Sequence, residues 1–270
     1  MIDCVVNYFC KDDPSPLVRA SAQFSLACFR ADPQVSAIFL VDGSTTPDQE
    51  FCLWCEKLGV TYLHAGRTLS FAEGYNHGIA QCTASWVALS ASDIYIPAGF
   101  FTGLFESIES LDPGRIGCLI PALTFSDVPS QERLSPRVRR SSMMSLNLNI
   151  FPARHFGLIG GVPEQYSGAY NDLEMVIRLR KHHLLIYQIP LKALHYGKLT
   201  IGQGSNYRFD ADHRCFFAAH PALFSAVSLC NLKLDCFVSG WRRLLFAIER
   251  HLPLGRYHLP MQKWLWRYFG

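Results

Sequence analysis

Apolar and polar residues alternate along the first half of the chain in blocks that predict strands and helices in turn. Five short apolar runs have the composition of buried strands, and four stretches between them have the spacing of amphipathic helices. The predicted strands are Ile2–Tyr8, Ala37–Val41, Val60–Leu63, Trp86–Leu89 and Ile116–Ile120, and the predicted helices are Leu17–Arg30, Asp48–Leu58, Ala72–Cys82 and Ala98–Leu111. This order predicts an α/β fold with a mostly parallel, Rossmann-like sheet that is flanked by helices on both faces.

The second half of the chain gives fewer periodic signals. The polar segment Phe125–Ser141 contains two prolines and predicts a long loop, either a functional lid or a surface excursion. A further strand is predicted at Leu184–Pro190, and a helix begins near Asp172. We divide the chain into a first domain, residues 1–205, and a helical C-terminal extension rich in basic and aromatic residues, residues 206–270.

Composition and charge indicate in which cellular compartment the protein functions and which kinds of partner it binds. Ten cysteines are scattered without a disulfide framework, and no apolar run reaches the roughly 20 residues of a membrane helix. With no signal-like N-terminus, these features predict a cytoplasmic protein. The net charge is +3, and because the last thirty residues carry +5, the other residues carry −2. Because residues 1–240 are not basic overall, nucleic acid is disfavoured as a partner.

The tail Trp241–Gly270 mixes basic and aromatic residues and allows two interpretations. It is either a helix packed on the domain or a peripheral anchor at the cytoplasmic face of an anionic membrane. Its composition alone leaves both open.

Two acidic residues lie just past predicted strands, where ligands bind in parallel sheets. Asp42 follows the second strand and would suit either a turn or a contact to a nucleoside. Asp93 follows the fourth strand and would suit either a turn or the coordination of Mg²⁺ or Mn²⁺. Each motif alone favours the turn.

Gly74 and Gly78 lie four residues apart on one face of a predicted helix, with Asn76 between them in sequence. Glycine costs about 1 kcal/mol in a helix interior, so its use here indicates a close approach of some kind. The approaching group is either a ligand or the backbone of the sheet, and alanine would usually serve the second purpose at lower cost.

In this order the motifs resemble those of the family 2 glycosyltransferases, inverting enzymes of the GT-A fold that use nucleotide-sugar donors. The resemblance covers roughly residues 1–200. Two family motifs each lack one carboxylate here, namely Asp-Asp-Gly-Ser at Val41–Ser44 and Asp-x-Asp at Ala91–Asp93. The matching stretches are Val5–Phe9, Val41–Ser44, Asn76–Gly78, Ala91–Asp93 and, most specifically, Gly160–Glu164 followed by Asn171–Arg178.

This resemblance implies a hexosyltransferase-type enzyme that moves a sugar from a nucleoside-diphosphate donor to a hydroxyl group. The acceptor would be a glycan or a lipid-linked molecule, in polysaccharide or glycoconjugate synthesis. It also implies that Asp93 and His195 bind Mn²⁺ or Mg²⁺. The donor-binding residues that it implies are Tyr8, Phe9, Asp42, Asn76 and Asp93.

Two carboxylates at the start of the later helix compete for the role of catalytic base. Residues two positions apart on a helix point about 200° from each other, so Asp172 and Glu174 are not expected to face the same substrate. Glu174 precedes Arg178 by four residues, which predicts a surface ion pair. Asp172 would otherwise cap the helix, a role that Asn171 could take instead. Because the resemblance places the base at the first aspartate, we predict that Asp172 is the catalytic residue.

Three other functions are considered. A catalytically silent relative would bind a nucleotide-sugar or a protein partner, and the missing acidic residues near Asp42 and Asp93 favour it. A sugar nucleotidyltransferase would need a glycine-rich basic loop after the first strand, which Phe9–Asp13 does not supply. A dinucleotide oxidoreductase is disfavoured because no Gly-x-Gly-x-x-Gly follows an early strand.

Overall fold

A computed structural model describes residues 1–9, 16–125, 136–168, 170–197 and 209–220. Residues 1–213 form one compact unit, and the described residues 214–220 belong to a second one. The boundary predicted between residues 205 and 206 stays a prediction. The predicted tail Trp241–Gly270, and residues 126–135 of the predicted loop, lie outside the described residues.

The described part of the chain contains nine strands and seven helices. The strands are β1 (Ile2–Tyr8), β2 (Val35–Asp42), β3 (Thr61–His64), β4 (Trp86–Ala91), β5 (Ile94–Tyr95), β6 (Ile116–Phe125), β7 (Arg139–Ser141), β8 (Leu148–Pro152) and β9 (Leu185–His195). The helices are α1 (Pro16–Arg30), α2 (Gln49–Leu58), α3 (Phe71–Ile79), α4 (Phe100–Ile108), α5 (His155–Ile159), α6 (Asn171–Lys181) and α7 (Phe209–Ala219). None of these helices is both long enough and apolar enough to cross a membrane.

All described strands belong to one sheet, in the order β3-β2-β1-β4-β8-β6-β9-β5, with β7 also paired to β9. The pairs among β3, β2, β1 and β4 are parallel, as the sequence predicts. Beyond β4 the sheet is mixed, because β8 is antiparallel to both β4 and β6. Every residue of β8 is buried, so its apolar pattern resembles that of a parallel strand and does not reveal its direction.

Apolar side chains cover both faces of the sheet. Alternate residues of β1 point to opposite faces, so Val6 packs in the hydrophobic cluster with α1, α2 and α4, and Val5 in the cluster with α3 and α6.

Side-chain caps fix the N-termini of two helices. Asp48 caps α2 by accepting a hydrogen bond from the Phe51 N–H, while Ser70 and Glu73 form a capping box at α3.

Strand β9 continues past the predicted end at Pro190 and reaches His195. Two prolines, Pro121 in β6 and Pro190 in β9, lie where the β6–β9 pairing is interrupted. Neither can donate to the ladder, so a break is needed there. Between its two paired segments β9 carries three residues and β6 carries one. The pairing then resumes, and it brings the end of β9 beside β5.

The two glycines of α3 pack against the sheet, which decides between the two explanations for them. A Cβ at Gly78 would lie 2.3 Å from Val5 Cγ1, and one at Gly74 would lie 2.3 Å from Asn7 Oδ1. Alanine would therefore not fit at either position. The side chain of Asn7 uses the space at Gly74 and donates from Nδ2 to the Phe71 carbonyl at 2.9 Å.

We expect Gly78→Ala to lower the free energy of unfolding by about 1–3 kcal/mol, because overpacking against the stiff, buried Val5 exceeds the gain in helix propensity. Gly157→Ala is the matched control, because a Cβ at the exposed Gly157 of α5 would meet no atom within 4 Å. Urea unfolding of both variants measures the difference. Equal stability of Gly78→Ala and the native chain would contradict the packing argument.

Candidate active site

The carboxyl ends of three parallel strands meet at one edge of the sheet. Tyr8 of β1 pairs with Asp42 of β2, and Asn7 pairs with Ala91 of β4. This edge is where ligands bind in open α/β sheets. It therefore brings together most of the donor-binding residues that the sequence predicts.

The Asp42 carboxylate is fully buried and is used within the protein. Its Oδ1 accepts a hydrogen bond from the Ser44 N–H at 2.9 Å, and its Oδ2 accepts one from the Tyr62 hydroxyl and one from the Asp48 N–H at 3.4 Å. Burial, followed by the Asp42 carboxylate, raises the pKa of Tyr62. These contacts order the turn after β2, so the turn explanation accounts for Asp42, and its contact with a nucleoside stays a prediction.

The two predicted aromatic residues at this edge differ in exposure. Tyr8 is fully buried, its ring packs edge-to-face on Phe51 with centroids 4.9 Å apart, and its hydroxyl lies 3.4 Å from Asp48 Oδ2. Phe9 is half-buried and lies beside Gly43, at which a Cβ would be 3.5 Å from the Phe9 ring. Tyr8 is thus a core residue, and Phe9 is the partly accessible aromatic side chain of the pair.

The predicted metal ligands Asp93 and His195 lie in direct contact. Antiparallel pairing of β5 with β9 aligns Ile94 with His195, so the Asp93 Oδ1 is 3.2 Å from the His195 Nε2. The Asp93 Oδ2 accepts a hydrogen bond from the Gly197 N–H at 2.9 Å. Both side chains are largely buried. Strand pairing therefore joins two residues that are far apart in the sequence.

Among the described residues, no group of three or more His, Cys, Asp or Glu side chains is placed to hold a metal ion. Within the described ranges, the protein groups that meet here are one carboxylate and one imidazole. Neighbouring ligands on an octahedral ion with bonds of about 2.1 Å lie about 3 Å apart, which is close to the separation of Asp93 and His195. This pair fits a hard divalent ion that takes its remaining ligands from substrate phosphates and water.

Helix α6 begins with Asp172 in its first turn. Tyr170, which precedes the helix, has the left-handed backbone conformation with φ of +66° and makes no side-chain cap. The half-buried Asp172 carboxylate accepts a hydrogen bond from the Leu173 N–H at 2.8 Å and, among the described residues, has no side-chain partner. Burial raises the pKa of Asp172, against the lowering effect of backbone N–H donors. A carboxyl group in this state suits a general base.

Glu174 forms the predicted pair with Arg178, but the pair is not on the surface. The Arg178 Nε donates to Glu174 Oε1 at 3.0 Å, and the Tyr166 hydroxyl donates to Glu174 Oε2 at 3.1 Å. Glu174 is 5% exposed, and it is in contact with Tyr166 from the chain before α6. The expectation of a surface pair was wrong in this respect, and the buried contacts give Glu174 a structural role.

Asn171 does not cap the helix, contrary to the alternative considered from the sequence. Its side chain is buried, and its Nδ2 donates to the Pro163 carbonyl at 2.7 Å. Asn171 thereby closes the loop that leads into α6. Neither Asn171 nor Tyr170 satisfies the first N–H groups of α6 with a side chain.

The side-chain amide of Asn76 holds the Gly160–Glu164 turn in place. Its Oδ1 accepts from the Val162 N–H at 2.8 Å, and its Nδ2 donates to the Val162 carbonyl at 2.8 Å and to Glu164 Oε1 at 2.7 Å. Gly161 has φ of +74°, and a Cβ there would lie 2.6 Å from Asn76 Oδ1. These contacts tie α3 to the segment before α6, and a contact of Asn76 with the donor stays a prediction.

A cavity of about 500 Å³ lies beside this segment. Its walls carry hydroxyl, amide and carboxylate groups, and its lining residues are Ser70, Glu73, Glu164, Gln165, Tyr166, Ser167, Ala211 and Asp212. Its size is within the range of small-molecule sites in proteins. Of this set, only Glu164 lies in a motif of the resemblance, and the others belong to no recognisable motif.

No protein-family model and no curated protein sequence matches this chain. Solved structures do. The chain is similar to Staphylococcus aureus TarS 1–349, with a TM-score of 0.58 and 11% identity over 72% of this chain and 60% of that one. It is also similar to the same fragment in complex with UDP-GlcNAc, with a TM-score of 0.62 and 10% identity over 83% of this chain and 67% of that one.

A third similar structure is GalNAc-T7 with UDP, GalNAc and Mn²⁺, with a TM-score of 0.53 and 13% identity over 94% of this chain and 58% of that one. At such identities the likeness concerns the fold. It confirms the predicted fold class, an α/β sheet flanked by helices of the GT-A type.

Proposed function

We propose that this chain is a glycosyltransferase that moves a sugar from a nucleoside-diphosphate donor to an acceptor hydroxyl, with inversion at the anomeric carbon. The observation that carries the proposal is the contact of Asp93 with His195 at 3.2 Å, at the sheet edge where GT-A enzymes bind their donor. The similar TarS and GalNAc-T7 structures, which contain UDP-GlcNAc or UDP with GalNAc, support a nucleotide-sugar as the donor.

Asp93 and His195 would hold a Mn²⁺ or Mg²⁺ ion, which when bound neutralises the charge of the departing nucleoside diphosphate. The GalNAc-T7 structure with Mn²⁺ supports this assignment. Within the protein, the Gly197 N–H donates to Asp93 and keeps its carboxylate oriented. Orientation of a ligand by such hydrogen bonds is typical of metal sites.

Asp172 would remove the proton from the acceptor hydroxyl as that oxygen attacks the anomeric carbon. A base with a raised pKa takes a proton more effectively near neutral pH, and burial raises the pKa of Asp172. A single displacement at the anomeric carbon inverts its configuration. Glu174 is held by Arg178 and Tyr166 and is not available for this step.

The nucleoside would lie at the ends of β1 and β2, next to the partly exposed Phe9 and the turn that Asp42 orders. Tyr8 and Asn76 would support this pocket from within the protein. The acceptor, a glycan or lipid-linked molecule, would enter from the side of α6. The cavity of about 500 Å³ beside the residues that precede α6 offers polar groups of the kind that bind sugar hydroxyls.

A panel of nucleotide-sugars that includes UDP-GlcNAc and UDP-GalNAc, assayed for release of nucleoside diphosphate with Mn²⁺ and with a chelator, tests this proposal. We expect one donor to be turned over, and removal of the metal to abolish turnover. Nucleotide-sugar binding without turnover under every condition would favour the catalytically silent binding module. This alternative is considered because the Ala91–Asp93 motif has only one carboxylate, that of Asp93.

A further inference from the structure

The described residues 163–168 and 170–171 lead from the Gly160–Glu164 turn into the first residue of α6, and we name them the entry loop. Asn171 ties the two ends of this loop together through the Pro163 carbonyl. The Tyr166 hydroxyl ties its first half to Glu174 of α6. Both contacts are local, since all of these residues lie within or next to the loop.

The middle of the entry loop is held from a distant part of the sequence. Asp212 of α7 is 3% exposed, and its carboxylate accepts hydrogen bonds from the Ser167 N–H at 2.8 and 3.0 Å. It also accepts from the Ser167 hydroxyl at 2.9 Å and from the Gly168 N–H at 3.2 Å. Hydrogen bonds to an ionised acceptor are among the strongest in proteins. Asp212 is thus a charged clamp on two consecutive residues.

The backbone after this clamp adopts a conformation that needs support. Tyr170 has φ of +66°, which is unfavourable for a residue with a Cβ and persists where the surrounding structure enforces it. Two residues later the chain presents Asp172. The direction in which α6 leaves the loop therefore depends on the contacts that hold the loop, and not on a side-chain cap from Tyr170.

We propose that Asp212 is a positioning residue for Asp172: by fixing Ser167 and Gly168, it sets the path of the entry loop and the orientation of the first turn of α6. This inference rests on the proposed function, in which Asp172 contacts the acceptor. Asp212 itself does not touch the reacting atoms. It acts through backbone N–H groups, and a displacement of about 1 Å of a catalytic group can cost about 100-fold in rate.

Asp212→Asn tests the inference, because it preserves shape but replaces one acceptor oxygen with an NH₂ group that faces the N–H donors. Asp32→Asn is the matched control: Asp32 is also 3% exposed and accepts backbone hydrogen bonds, from the Gln34 and Phe101 N–H groups, away from α6. Amide hydrogen exchange over residues 163–176 is measured by mass spectrometry. Turnover is measured with the donor that the panel identifies.

We expect Asp212→Asn to accelerate exchange in residues 163–176 and to lower kcat about tenfold or more, while KM for the donor stays within about twofold. Asp32→Asn should change neither the exchange of this segment nor kcat per folded molecule. Unchanged exchange in Asp212→Asn would overturn the inference, as would an equal loss of kcat in Asp32→Asn. Faster exchange together with an inactive native chain would instead sink the proposed function and leave the clamp standing.

Discussion

Asp172→Asn is expected to lower kcat roughly 10²–10⁴-fold while the affinity for the donor is retained. The amide has nearly the shape of the carboxylate and still accepts a hydrogen bond from the Leu173 N–H, but it cannot take a proton. Single-turnover kinetics separates the chemical step from product release. Calorimetry with the nucleoside diphosphate and Mn²⁺ measures binding.

The pH dependence of turnover by the native chain is a second test of Asp172 as the base. Because burial raises the pKa of Asp172, we expect activity to be lost, as the pH falls, at a higher pH than with a base of ordinary aspartate pKa. The effect on stability has the opposite sense. The folded state binds this proton more tightly than the unfolded state, so the contribution of Asp172 to stability falls as the pH rises through its raised pKa.

Asp172→Asn should therefore be at least as stable at neutral pH as the native chain, since it removes a charge that is costly to bury. The matched control is Asp112→Asn, in which an exposed aspartate that accepts from the Gly114 N–H becomes an asparagine. It should alter neither turnover nor melting temperature. Full activity in Asp172→Asn would transfer the role of base to another residue.

Asp93→Asn is expected to lower metal-dependent turnover about 100-fold or more, because an amide is a much weaker ligand for Mn²⁺ than a carboxylate. The variant retains an acceptor for the Gly197 N–H, so the local fold should survive. Titration of turnover with Mn²⁺ measures the loss as a shift to higher metal concentration. His195→Ala should shift the titration in the same direction.

The two substitutions share one site, so their effects should not add in the double variant. Asp112→Asn again serves as the control for the chemical change. Unaltered Mn²⁺ dependence in both single variants would place the metal, if the enzyme uses one, on other residues. Donor affinity lost equally with and without metal would point to a structural role for the Asp93–His195 contact.

The first four parallel strands were predictable because a helix separates each apolar run from the next, and connections of this kind build parallel sheets. The direction of β8 could not be predicted from the sequence, because a strand that is buried on both faces shows no alternation of polar and apolar residues. The length of β9 was underestimated because Pro190 was taken as its end. Tertiary pairing with β6 extends it across the proline.

Only part of the candidate site could be predicted from the sequence, because some of its contacts form only in the folded chain. Asp93 and Asp172 belong to motifs, His195 is implied by the resemblance, and strand pairing places Asp93 and His195 in contact. The uses of Asp42 and Asn76 depend on hydrogen-bond partners that no motif specifies. Asp212 lies in a helix without any recognisable pattern, and only the folded chain shows that its carboxylate meets Ser167.

The paired prolines of β6 and β9 have a consequence for how this fold can change over time. Residues 186–188 before Pro190 and residues 192–195 after it pair with β6 in registers that differ by two residues, which preserves the face on which each side chain lies. The interruption of the pairing at Pro121 and Pro190 is therefore a point at which the two strands can change register. A change of register at the His195 end can be absorbed there, so that end of β9 can vary in sequence while the pairing of the buried residues 186–188 stays unchanged.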